Sequence, residues 1–351
     1  MLPRERVLRT FRFEQIDRIP FDLMEGAVWP ELQTFFKMNY GLEDREQVIE
    51  FLDPDFRWIY PAYLGPEVPL PEGVSSVDSV PEASSISTKQ VAQGPLAGAR
   101  TVAEVLQAGL WPDPKLWGPP DFAAARRRWP DHALVFCAGW TPLFWGACEA
   151  FGMEEALVKL LTQPEVFDAF VRRQHEFYYD LLSRCVEAGR GWCDLCWLGD
   201  DFAGQQAMLV NPELWRRSIK PYLAEQVAVA RSNGMSVLYH SCGAVRPVLP
   251  DLIEIGVNAL LVFQTTATGM EVESIAAEFG GKMAFYGGVD AQQLLSLGSV
   301  EEVTRCVHRN AAAFRQTSGY IAANSHHGIP TIKGENILAM CQAARETGSR
   351  S

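Results

Sequence analysis

A distorted (β/α)8 TIM barrel is the fold this sequence predicts, and three observations carry it. Short β-branched or aromatic runs alternate with helix-length amphipathic stretches, eight such runs can be counted, and the best-marked polar residues stand where those runs end. Alternation of this kind reads as a parallel sheet with helical crossovers. Eight parallel strands close into a barrel whose chemistry lies at the strands' C-terminal ends.

The strands are expected at 19–23, 56–60, 132–138, 192–198, 236–240, 259–263, 283–286 and 320–324. Helices are expected at 3–12, 102–108, 153–161, 164–187, 212–233, 245–255, 270–279, 300–317 and 334–346. Several open on a proline, which the first helical turn tolerates best. The stretch 61–93 is rich in Pro, Ser and Gly and breaks the alternation, so it is expected to be an inserted loop or hairpin over one barrel end. With 351 residues, 48% hydrophobic and 21% charged, the chain predicts one large domain over 1–351 rather than two small ones.

The net charge of −12 carries no block of like charges and no phosphate-binding stripe, which argues against a nucleic-acid partner. No stretch is long and apolar enough for a membrane span, and the charged first residues Met-Leu-Pro-Arg-Glu-Arg predict no signal peptide. Eight cysteines scattered at 137, 148, 185, 193, 196, 242, 306 and 341 do not form a disulfide framework. A reducing cytoplasm is the expected home.

Val-Leu-Tyr-His-Ser-Cys-Gly at 237–243 is the most informative string. A strand of period two aims His240 and Cys242 at one face, and imidazole with thiolate is a zinc-type pair. Gly243 supplies the backbone freedom to leave the strand sharply. The bland alternative is a buried cysteine beside a satisfied core histidine. A candidate third ligand lies where the run 321–325 ends in His326 and His327.

Other rim candidates follow the same logic. Asp200, Asp201 and Gln205 come just after the fourth run; a carboxylate there can bond a substrate hydroxyl, orient a metal-bound imidazole or protonate a leaving group, or it can cap a helix. Tyr286-Gly-Gly-Val-Asp290 ends another run, with glycines that let backbone approach a ligand and an Asp290 able to face the pocket. Trp29, Trp140, Phe144 and Trp145 offer an aromatic wall, and Glu149 is a carboxylate that either faces the pocket or is solvated. Cys193 and Cys196 sit at i, i+3 and are expected to be strand packing rather than chelators.

Taken in order, Arg-Glu-Arg-Val-Leu-Arg-Thr-Phe (4–11), Asp17-Arg-Ile-Pro20, Gly199-Asp-Asp-Phe-Ala-Gly-Gln205, Asn211-Pro-Glu-Leu-Trp215, Lys220-Pro-Tyr222, His240-Ser-Cys-Gly, Phe263-Gln264, Tyr286-Gly-Gly-Val-Asp290 and Glu335-Asn336 are similar to landmarks of one family. The chain resembles the uroporphyrinogen decarboxylase superfamily over essentially its whole length, in particular its cobalamin-dependent methyltransferase branch. The resemblance implies the same distorted barrel, often paired into a homodimer. Decarboxylases of the family carry an arginine-bearing Met-Arg-Gln-Ala-Gly-Arg string. Here the matching region reads Phe21-Asp-Leu-Met-Glu-Gly-Ala-Val-Trp29, acid and indole where a polycarboxylate would need guanidinium.

For the methyltransferase branch the resemblance implies a zinc held by His240, Cys242 and a residue ten before Asn336, which is His326, with His327 as the alternative. It implies Asp201 as the catalytic carboxylate; Gln205, Trp145, Asp290 and Tyr286 are expected toward the substrate from their places near the rim. Three protein ligands leave a fourth position open, as catalytic zinc requires. Two imidazoles and one thiolate leave about one net positive charge, which favours polarising the ether oxygen of a methoxy substrate. The chain has no Asp-x-His-x-x-Gly corrinoid motif, so the cobalt corrinoid is expected on a separate partner protein, exchanging methyl with a small-molecule donor or acceptor. The alternatives are a metal-free decarboxylase-like lyase acting on a carboxylated cyclic or aromatic acid and a non-enzymatic small-molecule sensor.

Overall fold

The structure, a computed structural model, describes residues 1–66, 94–326 and 329–348. Most of the expected insertion at 61–93, and His327, lie outside the described residues. Among the described residues nine strands are formed: β1 Phe56–Ile59, β2 Ala62–Tyr63, β3 Trp117–Gly118, β4 Ala133–Cys137, β5 Leu195–Gly199, β6 Ser236–His240, β7 Ala259–Phe263, β8 Ala284–Val289 and β9 Tyr320–Asn324. Seven of them make one sheet in the order β1-β4-β5-β6-β7-β8-β9, with every neighbouring pair parallel. Strands β2 and β3 form a separate antiparallel ribbon.

The expected strand at 19–23 is a single bridge, Phe21 to Ala322, yet it closes the curl. Asp22 N–H donates to Ala322 O at 3.0 Å and Ala322 N–H donates to Pro20 O at 3.0 Å, while Asp55 N–H donates to Phe21 O at 3.0 Å. One extended run thereby joins β9 to the entrance of β1, and the result is a barrel distorted at its seam. Proline at 20 removes one donor from the run and shortens the pairing. Asp55, fully buried at that seam, accepts from Phe21 N–H at 2.9 Å and is paired with Arg6 and Arg18. Two guanidiniums are what a buried carboxylate needs there.

Period-two alternation sorts the strand residues into two cores. Phe56, Trp58, Val135, Cys137, Leu195, Trp197, Leu238, Leu261, Tyr286, Ile321 and Ala323 fill the lumen, plugged from one end by Val7 and Phe11 of the first helix, Pro3–Phe11. Their neighbours Leu134, Phe136, Cys196, Leu198, Val237, Tyr239, Leu260 and Phe285 face the helical jacket. Cys193 and Cys196 both belong to that outer layer; Cys193 precedes β5, and its Sγ bonds Leu134 O at 3.2 Å.

The helical expectation needs correction in two respects, a split and several additions. The stretch 212–233 is two helices, Pro212–Ser218 and Lys220–Ser232, because Pro221 has no N–H to continue the ladder and fits only a first turn. Helices Pro30–Tyr40, Arg45–Leu52, Phe122–Arg128 and Phe144–Phe151 were not expected. Among the described residues no helix is long and apolar enough to cross a membrane.

Candidate active site

The C-terminal ends of the strands share one rim, and the chemistry-bearing residues gather on it. His240 is the last residue of β6 and is buried; Cys242, two residues on, is half-buried. The turn that carries the thiol depends on Gly243, which sits at φ +85° and would place a Cβ 2.5 Å from Gly204 O and 2.7 Å from Ala203 O. No side chain fits against those two carbonyls.

Cys242 Sγ lies 3.5 Å from His240 Nε2, and Asp201 Oδ1 lies 3.7 Å from the same nitrogen. The three ligand atoms all fall within 4.8 Å of one another. The His240 ring is edge-on to Trp140, with centroids 5.0 Å apart, and to Trp197 at 5.9 Å. Gly199 makes this close packing feasible, since a Cβ there would meet the Trp140 ring at 2.8 Å and the His240 Cβ at 3.0 Å. Burial together with the Asp201 and Glu25 carboxylates pushes the Cys242 thiol well up from its ordinary range.

Glu25 is the residue that sequence reasoning missed. It follows the seam run, and its Oε1 lies 3.4 Å from His240 Nδ1, on the ring edge opposite Cys242. The signal available was a pair of acids, Asp22 and Glu25, among apolar residues in and just after the seam run. Asp22, also unassigned from sequence, is fully buried and accepts from Trp58 Nε1–H at 2.8 Å and Tyr286 O–H at 2.9 Å. Burial outweighs those bonds and pushes its carboxyl up to about 7.

The other expected residues are placed as follows. Asp200 caps the helix Phe144–Phe151, accepting from Phe144 N–H at 2.7 Å and Trp145 N–H at 2.9 Å, so it is the capping aspartate and Asp201 the rim carboxylate. Trp145 donates its indole N–H to Glu149 at 2.9 Å, and Glu149 is buried, not solvated, with burial pushing it up to about 7. Gln205 is exposed and donates to Gln264 at 3.3 Å; Gln264 also accepts from Gly243 N–H at 2.7 Å, which ties three rim loops together. Tyr286 is buried in the lumen on Asp22 rather than open on the rim.

Asp290 spends its carboxylate on the N–H groups of Gln293 and Leu294, at 2.7 and 3.2 Å. Its use is that of a cap. His326 is exposed just past β9 and is not in the group formed by Asp201, His240 and Cys242. Asn324 Nδ2 donates to its carbonyl at 2.5 Å.

The donor set suits a metal ion. Zinc bonded at ~2.0–2.3 Å to nitrogen, oxygen and sulfur in a tetrahedron needs donors about 3.3–3.8 Å apart. The two distances from His240 Nε2, 3.5 Å to sulfur and 3.7 Å to oxygen, lie inside that interval. A soft sulfur, an imidazole and one carboxylate are ligands zinc accepts together.

In fold, the chain is similar to a methyltransferase from Methanosarcina mazei, with a TM-score of 0.62 and 17% identity over 99% of each chain. An L-ribulose 3-epimerase structure aligns at a TM-score of 0.41 with 12% identity, over 74% of this chain and 92% of that one. No curated protein matches the chain by sequence. The family model described as uroporphyrinogen decarboxylase (URO-D) matches residues 143–347, a span that contains β5 to β9 together with Asp201, His240 and Cys242. That match covers more than half of the chain, and the chain belongs to the uroporphyrinogen decarboxylase family.

Proposed function

We propose that the protein is a zinc-dependent methyltransferase that moves a methyl group between a small methylated substrate and the cobalt of a corrinoid on a separate protein. The observation that carries this reading is the convergence of Asp201, His240 and Cys242 at one rim. The methyltransferase named among the fold relatives supports it. So does the charge of the pocket: Glu25 and Asp201 flank His240. A dication offsets these carboxylates; the carboxylate of an acid substrate would add to them, which disfavours the decarboxylating alternative.

The proposed ligands are His240 Nε2, Cys242 Sγ and Asp201, with a fourth position left to substrate. His326 is the third ligand implied by family resemblance, and the geometry favours Asp201 over it. A dication held there supplies Lewis acidity, polarising a methoxy oxygen or lowering the pKa of a thiol. The chain's own residues then do the rest. Trp140 and Trp197 fix the imidazole plane, Asp201 holds the Cys242 turn, and Gln205 links its loop to Gln264.

An aspartate in place of a second imidazole brings the ligated site to about zero net charge, which weakens the electrostatic preference for an oxygen leaving group. The assay therefore sets methoxy-aromatic and methylthiol compounds side by side. Zinc-loaded protein is mixed with each and with chemically reduced cob(I)alamin, and formation of methylcobalamin is followed by absorbance. Methyl transfer that disappears in Cys242→Ser supports the proposal. Carbon dioxide release from a carboxylated aromatic acid, indifferent to chelator, supports the lyase instead.

A further inference from the structure

Resting on the metal site proposed above, we infer that Glu25 is a positioning residue that holds His240 in the tautomer protonated on Nδ1, leaving Nε2 as the ligating atom. Two observations carry this. The first is geometric. His240 presents Nε2 toward Cys242 Sγ and Asp201 Oδ1, at 3.5 and 3.7 Å, while Nδ1 faces Glu25 Oε1 at 3.4 Å. That buried Nδ1 has no hydrogen bond among the described residues, and a contraction of roughly half an ångström brings the carboxylate to bonding distance. A metal-ligating imidazole ordinarily donates its other N–H to a carboxylate, carbonyl or water, which fixes ring and tautomer together.

The second observation is the backbone. Glu25 adopts φ +56°, ψ 25° in the short turn Met24–Gly26, a left-handed conformation that a non-glycine residue keeps only when its surroundings impose it. The surroundings do so from three directions. Tyr60 O–H donates to Glu25 O at 3.1 Å, Asn324 Oδ1 accepts from Met24 N–H at 2.9 Å, and Arg45 donates to Gly26 O at 2.8 Å. The end of β1, the end of β9 and the helix Arg45–Leu52 thus aim one carboxylate at one imidazole edge. Positioning of this kind serves a site whose ligand must not rotate.

The test uses the full chain with Glu25→Leu, which removes the acceptor, and Glu25→Gln, whose amide oxygen still accepts from Nδ1–H. Zinc affinity by chelator competition should fall about 10- to 100-fold in Glu25→Leu and stay within a few fold of wild type in Glu25→Gln. Histidine nitrogen NMR of the metal-free protein should show His240 protonated on Nδ1 in wild type and in Glu25→Gln, and a tautomer mixture in Glu25→Leu. Equal affinity in all three, equal loss in both variants, or a wild-type His240 protonated on Nε2 overturns the inference. The wild-type tautomer decides even where Glu25→Leu fails to fold. A wild type that holds no zinc but shows the Nδ1 proton sinks the metal proposal and leaves the Glu25 contact standing.

Discussion

Asp201 Oδ1 accepts the backbone N–H of Cys242 at 2.8 Å and, with the same atom, stands 3.7 Å from His240 Nε2. One carboxylate oxygen therefore fixes the turn that presents the thiol and faces the imidazole. Structure and chemistry meet in that atom, and substitutions can separate them.

Asp201→Asn retains an oxygen acceptor for the Cys242 N–H but loses the charge. It should keep the fold and lower zinc affinity by an order of magnitude or more, since a neutral amide is a poor zinc ligand. His326→Ala, which removes an exposed side chain, should keep near-stoichiometric zinc. Elemental analysis after exhaustive dialysis reads both. Zinc lost from His326→Ala and retained by Asp201→Asn would reinstate the ligand set expected from family resemblance.

Gly199→Ala tests how tightly the imidazole is clamped. The added methyl meets the Trp140 ring at 2.8 Å and the His240 Cβ at 3.0 Å. Relief requires the indole or the strand end to move, so stability in urea should fall by about 1–3 kcal/mol and the near-ultraviolet dichroism should change. An unaltered spectrum with unaltered stability would show that the clamp is soft.

Asp22 provides a pH dependence with a definite sign. Burial raises its carboxyl from 3.8 to about 7, against the lowering effect of Trp58 and Tyr286. Between those values the folded protein keeps a proton that the unfolded chain has released, so the contribution is complete below about 3.8 and is lost as pH climbs to about 7. Asn mimics the protonated acid at every pH. Metal-free Asp22→Asn should melt near wild type at pH 4.5 and clearly above it at pH 8; equal melting at both would contradict the raised value.

Cys193 and Cys196 are a control for the metal assignment. Both lie in the layer between sheet and helices, and burial pushes the Cys193 thiol up to about 12 and raises Cys196 well above its ordinary range. Cys196→Ala should lower stability by roughly 1–2 kcal/mol for lost packing and leave zinc content unchanged. Zinc loss in that variant would point to a second site.

How much of this was legible in the sequence follows from which interactions are local. The strands β4 to β9 were readable because each is a short apolar run bounded by turn residues, and the pairing of His240 with Cys242 followed from period two and one glycine. The seam was half legible: 19–23 is extended, but its pairing with Ala322 depends on partners 300 residues away. Glu25 was legible only as an acid without a role, for the same reason, since its meaning arises when the turn after the seam is folded over β6. Asp290 carried a rim position yet serves as a cap, because the residues that follow turn back to offer their N–H groups. Asp201 was legible as a rim carboxylate and not as a neighbour of the thiol, a contact made by loop conformation rather than by spacing.

The most direct measurement is the electronic absorption spectrum of the cobalt(II)-substituted protein. Coordination by His240, Cys242 and Asp201 predicts one equivalent of bound cobalt with a thiolate-to-metal charge-transfer band in the near ultraviolet. Cys242→Ser should abolish that band. Failure of the wild-type protein to retain cobalt or zinc at stoichiometric levels, or a charge-transfer band that survives Cys242→Ser, would contradict the metal centre.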